Sequence, residues 1–336
     1  MTAGLDEQDL ALINALQIAP RIGWAEAARV LGSTPATLAA RWRRLREEGL
    51  AWVTAHPGVS RDVVVAFVEV DCAAGARPAV LRALCRDPRA VTIEESARGR
   101  DLLLTVVTPD LPGLTTFVLD DLPRVEGVRR QRTYLAKEVH RQGGDWRLDA
   151  LDRQQVALLR LAARRPGPGT RVEPPPDAWP LVNALTEDGR RTAAELARIT
   201  GRNPATVRRQ LARLLDSGFL SFRCEVAQVQ SHWPISCTWL ARVPAPEHER
   251  TVAALKTLPE LRLCVSTTGE TNMMFIVWTR SLADLLRLER LLGDRLPWLN
   301  LVDSAVSLRS AKRMGWLLDA SGRSTGEVVV PGAPPP

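Results

Sequence analysis

Residues 32–49 read GSTPATLAARWRRLREEG, and residues 201–218 read GRNPATVRRQLARLLDSG. Both segments open on glycine, carry Pro-Ala-Thr three residues later, set arginines among apolar residues at helical spacing and close on glycine. The second lies 169 residues beyond the first, Gly32 to Gly201. A self-similar segment at so long a period divides the chain into two structurally related halves. Any fold for this chain must therefore contain the same unit twice.

The geometry of that unit can be read from its residues. Thr34 and Asn203 are residue types that cap a helix N-terminus through a side-chain oxygen. Pro35 and Pro204 then fall at the first helical position, where no backbone donor is needed. Leu38, Trp42 and Leu45 recur at i, i+4, i+7, as do Val207, Leu211 and Leu214, so each helix buries one stripe. Gly49 and Gly218 end the helices. The preceding pieces, EAARVLG and ELARITG, form a short helix closed by a glycine turn. Helix, tight turn and capped basic helix make a helix-turn-helix, whose last helix enters the major groove of DNA by its N-terminal turn. Small residues there, Ala36 and Ala205, permit close approach.

Residues placed to touch base edges or phosphates are Ser33, Thr34, Ala36, Thr37, Arg41 and Arg44 in the first copy. In the second they are Arg202, Asn203, Thr206, Arg208, Arg209 and Arg213. Solvated arginines on ordinary amphipathic helices would give a single such pattern; two copies, each with cap, proline, glycine turn and acid-free basic face, favour double-stranded DNA as the partner. The net charge of +7 agrees, and its placement says more than its size. Residues 33–46 and 201–214 hold arginines and no acid, and acids resume at Glu47, Glu48 and Asp216.

Other classes are disfavoured. No segment is long and apolar enough to span a membrane, and MTAGLDEQDLALINAL is acidic where a signal peptide is basic. The cysteines Cys72, Cys85, Cys224, Cys237 and Cys264 are odd in number and have no CxxC spacing, which fits a reducing cytoplasm and neither a disulfide framework nor a zinc site. The histidines His56, His140, His232 and His248 lack ligand spacing and read as surface or turn residues. No nucleophile elbow or phosphate loop occurs. We therefore expect no catalytic residue, no metal and no cofactor.

Along the chain, Asp9–Gln17 is an amphipathic run, Trp24–Leu31 a short helix and Thr34–Glu48 the basic helix. The pattern then shifts to Val63–Asp71 as strand, Pro78–Arg86 as helix, Ala90–Ala97 and Asp101–Thr108 as strands, Leu114–Leu122 as helix and Val128–Val139 as strand. This is β-α-β-β-α-β, a split pair of βαβ units. The second half repeats the helices and then the strand order through Leu308. The expected fold is α+β, two winged or plain helix-turn-helix domains alternating with two ferredoxin-like domains. The boundaries are 1–56 and 60–142 in the first half, 145–176 for a helix and Pro/Gly-rich linker, 177–226 and 230–318 in the second half, and 319–336 for a disordered tail.

The order LDEQDLALINALQ…RIGWAEAARVLGSTPATLAARWRRLREEGL, followed by ESARGRDLLLTVVTPDLPGLTTFVLDDLPRVEGVRRQRTYLAKE, resembles the leucine-responsive regulator/AsnC (Lrp/AsnC) family. The second copy resembles it more faintly. The resemblance covers nearly the whole chain, twice, and implies a transcriptional regulator that assembles as a homo-oligomer through its sheet domains (RAM domains). It also implies a response to an amino acid or similar small molecule, bound beside a Gly-x-x-Asp turn. This chain departs from that turn in both copies, which read Arg98-Gly99-Arg100-Asp101 and Gly269-Glu270-Thr271-Asn272. The effector candidates implied are Arg98, Gly99, Asp101, Thr268, Gly269 and Asn272, although turn geometry alone explains a glycine and a short polar residue there.

Sirohaem decarboxylases look like the same family, also pair two such units, and use histidine with tyrosine and arginine. This chain has one tyrosine, Tyr134, with His140 the only histidine near it, and that composition argues against the enzyme. Because the two basic helices differ, with Ala39-Ala40 replaced by Arg208-Arg209, the second is expected to make the stronger contacts near its N-terminal half.

Overall fold

A computed structural model describes residues 4–57, 63–97, 99–163 and 175–332. Helices α1 (Glu7–Ile18), α2 (Trp24–Leu31) and α3 (Pro35–Glu47) lead into strand β1 (Ala51–Pro57). There follow β2 (Val64–Cys72), α4 (Arg77–Cys85), β3 (Ala90–Ser96), β4 (Leu102–Thr108), α5 (Leu111–Thr115) and β5 (Val128–Arg141). Then come α6 (Arg153–Ala162), α7 (Trp179–Glu187), α8 (Ala193–Thr200), α9 (Pro204–Asp216) and β6 (Leu220–Val226). The chain continues with β7 (Ile235–Arg242), α10 (His248–Leu255), β8 (Leu261–Thr267), β9 (Met273–Thr279), α11 (Leu282–Arg295) and β10 (Asn300–Arg313), and ends with β11 (Trp316–Leu318) and β12 (Ser324–Val328).

These elements form two compact units that interleave along the chain. One joins residues 1–61 with 147–227 and the other joins 62–146 with 228–336. The helix-turn-helix copies are thus partners in one unit and the sheet copies partners in the other.

In the helical unit, β1 pairs antiparallel with β6, from Ala51 opposite Val226 to His56 opposite Ser221. Neither strand was expected, although AWVTAH and LSFRCEV are rich in β-branched and aromatic residues. Helix α1 differs from its amphipathic reading. Asp9, Leu10 and every residue from Leu12 to Gln17 are buried, because α3, β6 and α6 all pack against it. Its polar members are satisfied inside: Gln17 accepts from the Leu148 N–H at 2.9 Å and Asn14 from the Ala150 N–H at 2.9 Å. Helix α6 lies on α1 and α2, anchored by buried Leu159.

In the other unit each half forms a four-stranded antiparallel sheet, ordered β3-β4-β2-β5 and β8-β9-β7-β10. β5 pairs with β8 and β10 pairs with β3, and β10 also pairs with β7, so the eight strands close on themselves. Each sheet packs its helices on one face, around Val68, Ile93, Leu104 and Phe117 in the first half and Trp239, Leu255, Phe275 and Leu288 in the second. A smaller cluster of Phe67, Leu103, Leu240, Val265 and Met274 fills the other faces. Both β-α-β-β-α-β orders stand as expected.

Two expectations change. The helix over Leu114–Leu122 starts at Leu111, widens into a π-helical turn over Thr116–Asp121 and ends in a 3-10 turn at Leu122–Arg124, where Pro123 cannot continue a regular helix. Residues 319–332 of the expected disordered tail include β12, which pairs with β11 and extends the sheet. Most of the Pro/Gly-rich linker, 164–174, lies outside the described residues. No helix among the described residues is long and apolar enough to cross a membrane.

Candidate nucleic-acid interface

Both helix-turn-helix units are built as their sequences require. α2 ends at Gly32 with φ 62° and α8 at Gly201 with φ 66°, left-handed values that glycine adopts at low cost. The Thr34 hydroxyl accepts from the Thr37 N–H at 3.1 Å, and the Asn203 side-chain oxygen accepts from the Ala205 N–H at 2.9 Å. The stripes Leu38, Trp42, Leu45 and Val207, Leu211, Leu214 are buried. With those faces turned inward, Thr34, Ala36, Thr37, Ala40 and Arg43 are exposed on the first recognition helix, and Ser33 is half-buried. On the second, Asn203, Ala205, Arg208, Arg209, Ala212 and Arg213 are exposed and Thr206 is half-buried.

The arginines divide sharply between the copies. Arg41 donates to Asp6 at 2.8 and 2.9 Å, to Asp9 at 2.6 Å and to Gln8 at 2.6 Å. Arg44 donates to Asp9 at 2.6 and 2.7 Å and to Glu48 at 3.3 Å. Asp9 has only 1% of its side chain exposed, so it is a buried anion shared by two arginines. Burial alone would raise the Asp6 carboxyl and lower Arg41, but their mutual bonds prevail, holding Asp6 below and Arg41 above the usual values. Arg41 and Arg44 therefore fasten α3 to α1, where the sequence pattern points them at DNA. Arg46 pairs with Asp188 at 2.9 Å.

In the second copy Ala178 stands where Asp9 stands in the first. The fastening there uses single hydrogen bonds in place of ion pairs. Gln210 donates to Asp177 at 2.8 Å, and Arg202 donates to the Asp177 carbonyl at 2.6 Å. Arg202 thus also serves structure. Arg208, Arg209 and Arg213 are exposed, and their side chains make no hydrogen bond or ion pair among the described residues.

A reciprocal clasp that the sequence pattern does not announce sets the two copies together. Arg21 donates to the carbonyls of Gly189 and, at 3.0 Å, Arg191. Arg190 donates to the carbonyls of Pro20 at 2.6 Å and Ile22 at 2.8 Å. Each guanidinium also covers a ring, Arg190 lying 4.1 Å from the centre of Trp24 and Arg21 5.5 Å from that of Phe222. Burial pushes Arg190 down to about 10. Gly189 donates to the Val53 carbonyl at 2.7 Å, and a side chain there would meet Val53 at 2.8 Å. Arg21 and Arg190 share the 169-residue offset of the repeat, the signal that would have found them.

The effector candidates behave differently. Asp101 accepts from the Cys72 N–H at 2.7 Å and from Arg77 at 2.8 Å. Asn272 accepts from the Val243 N–H and donates to the Val243 carbonyl, both at 2.8 Å. Each closes the end of its sheet's first strand, so both side chains already have partners within the protein. Thr268 pairs with Leu135 across β5 and β8, its hydroxyl accepting at 3.0 Å. Gly99 and Gly269 take φ of 74° and 108° as the turns require; Arg98 lies outside the described residues. Of the histidines, His232 is exposed in a turn as expected, His56 is buried, and His140 and His248 are half-buried. His140 and His248 both bond the Ser266 hydroxyl, at 2.6 and 2.5 Å. Among the described residues no group of three histidine, cysteine or acidic side chains could hold a metal ion. The five cysteines are unbridged.

Comparison with known proteins agrees with this geometry. Residues 5–46 match the AsnC-type helix-turn-helix domain and residues 181–221 a winged helix-turn-helix DNA-binding domain. An uncharacterized HTH-type transcriptional regulator of Pyrococcus horikoshii is 27% identical over 142 residues, 41% of this chain and 90% of that protein. HTH-type transcriptional regulator FL11 of Pyrococcus furiosus is 26% identical over 141 residues, 41% of this chain and 93% of its own length. Among solved structures, the siroheme decarboxylase NirDL in co-complex with an iron-uroporphyrin III analogue shares the fold. Its TM-score is 0.59 at 14% identity, over 92% of this chain and 93% of that one.

Proposed function

We propose that the chain is a transcriptional regulator of the Lrp/AsnC type, with two helix-turn-helix domains in one polypeptide, and that it reads an asymmetric pair of DNA half-sites with the second recognition helix making the stronger contacts. The observation that carries this reading is the fate of the arginines. Arg41 and Arg44 are held by Asp6 and Asp9, whereas Arg208, Arg209 and Arg213 are exposed on α9. Each phosphate neutralised by such a cation releases counterions and steepens the salt dependence of binding. The β1–β6 ladder and the arginine clasp fix the two helices at one spacing, so half-site separation is set within a single chain. The protein acts on DNA in the cytoplasm.

The test is the double substitution Arg208→Ala/Arg209→Ala. Operator affinity falls, and the slope of log affinity against log salt flattens by about one unit for each phosphate no longer neutralised. Unchanged affinity and slope would refute the assignment.

A second reading comes from the fold shared with a siroheme decarboxylase. Tyr134 and Arg132 both bond buried Glu69 in the sheet unit, at 3.3 and 2.9 Å, and His140 is committed to Ser266. With these groups satisfied by protein partners, we favour DNA binding over catalysis. Iron-uroporphyrin III added to the protein should leave its own absorption spectrum unchanged; a saturable spectral shift would reopen the enzymatic reading.

A further inference from the structure

The two sheet halves meet along two seams, and the backbone makes the seams equivalent. The Asp101 N–H bonds the Val70 carbonyl and the Asn272 N–H bonds the Ala241 carbonyl, so residues 101 and 272 correspond, as do 70 and 241. Glu95 opposes Leu102 and Ser266 opposes Met273, which makes Glu95 the counterpart of Ser266. Across the seams Arg309 opposes Glu95 and Glu138 opposes Ser266, which makes Arg309 the counterpart of Glu138. Glu69 opposes Arg132 and Leu240 opposes Asp303, which makes Arg132 the counterpart of Asp303. Arg100 corresponds to Thr271.

Side chains at these positions are complementary only when unlike halves meet. Where β10 joins β3, Arg309 is ion-paired with Glu95, whose side chain is buried. In the next layer Arg100, buried and bonded to Glu69 at 2.5 Å, approaches Asp303 to 3.8 Å. Where β5 joins β8, Glu138 faces the neutral Ser266, which His140 and His248 both bond. If two first halves met instead, both seams would set Glu95 against Glu138 and Arg100 against Arg132. Two second halves would set Ser266 against Arg309 and Thr271 against Asp303, gaining no ion pair. Like charges placed across an interface select against the wrong partner even where each correct pair adds little net affinity.

We propose that these charge rows are a pairing code: the first-half sheet accepts a second-half sheet, its own in the intact chain, and rejects the first-half sheet of another copy. Closing the eight-stranded ring within one polypeptide follows from that code, and it confines assembly between copies to surfaces other than the two seams.

The code can be rewritten in the full-length chain. Arg309→Glu with Glu138→Arg sets Glu95 against an acid in the native pairing and against a base when two first halves meet. Sedimentation equilibrium up to millimolar protein should then show the association constant between chains raised about tenfold or more, a shift of about 1.4 kcal/mol. Adding Glu95→Arg restores complementarity between unlike halves and should return that constant to the native value. A double variant that associates no more than the native chain overturns the proposal, as does a triple variant that fails to reset it. If the double variant precipitates, the triple variant decides: native solubility and association support the code, and continued precipitation refutes it.

Discussion

The two recognition helices differ in what holds them. The first is secured by charge, with Asp6 and Asp9 drawing Arg41 and Arg44 back onto α1. The second is secured by Gln210 on Asp177 and by apolar packing of Leu181, Val182 and Leu185 against Val207 and Leu211. The same basic composition therefore has opposite uses. In the first copy Arg41 and Arg44 are scaffold; in the second Arg208, Arg209 and Arg213 face solvent, where an anionic partner can reach them. Counting arginines on a helix does not measure its affinity for DNA. What matters is whether an acid on a neighbouring element has already claimed them.

The most disruptive way to break this contrast is Asp9→Ala. It leaves two cations beside a buried hole and should cost about 3 kcal/mol of stability in the helical unit, read as a lowered midpoint in urea. The corresponding position of the second copy is already Ala178, and Ala178→Asp should instead draw Arg213 inward and weaken operator binding. Gly189→Ala is the next largest effect. Its added methyl collides with Val53 and the Thr54 backbone, an overpacking penalty of about 2 kcal/mol. It should loosen both copies together because the clasp is shared. Smaller still is removal of a cap. Thr34→Ala and Asn203→Ala should each cost about 1 kcal/mol, equal losses that would show the two helices to be alike in construction and unlike only in charge.

The smallest effect concerns the sheet halves. Lys312 occupies in the second half the position that Arg141 holds in the first, and it donates to the Asp87 carbonyl at 2.8 Å. Burial pushes it down to about 8, against an ordinary lysine value of 10.5. Between those values the unfolded chain binds more protons than the folded one, so stability rises with pH. The urea midpoint of the native chain should climb from pH 8 to 9 relative to that of Lys312→Met. A flat difference would mean that the lysine keeps its proton when folded.

Much of this was legible in the sequence, for reasons that can be named. Caps, N1 prolines and the two buried stripes are local, because a helix repeats its contacts every three or four residues. The β-α-β-β-α-β orders followed from the alternation of period. Partners distant in the sequence were not legible. Nothing near Arg41 announces that Asp9 will claim it, and nothing near Arg190 announces the carbonyls of Pro20 and Ile22. The β1–β6 ladder was missed because each strand is short and meets its partner in the other half of the chain. The backbone bonds that Asp101 and Asn272 make at strand ends were not legible either, because Cys72 and Val243 lie 29 residues away from them. The tail strand β12 was hidden by its polar composition, since an edge strand needs few apolar residues.

The central claim is that one rigid pair of unequal helices reads one unequal pair of half-sites. Selection of binding sites from random DNA tests it most directly. The account predicts two half-sites at constant spacing and of different sequence, with the half bound by α9 the more strongly constrained. Recovery of a perfect palindrome, with both halves equally constrained, would contradict it.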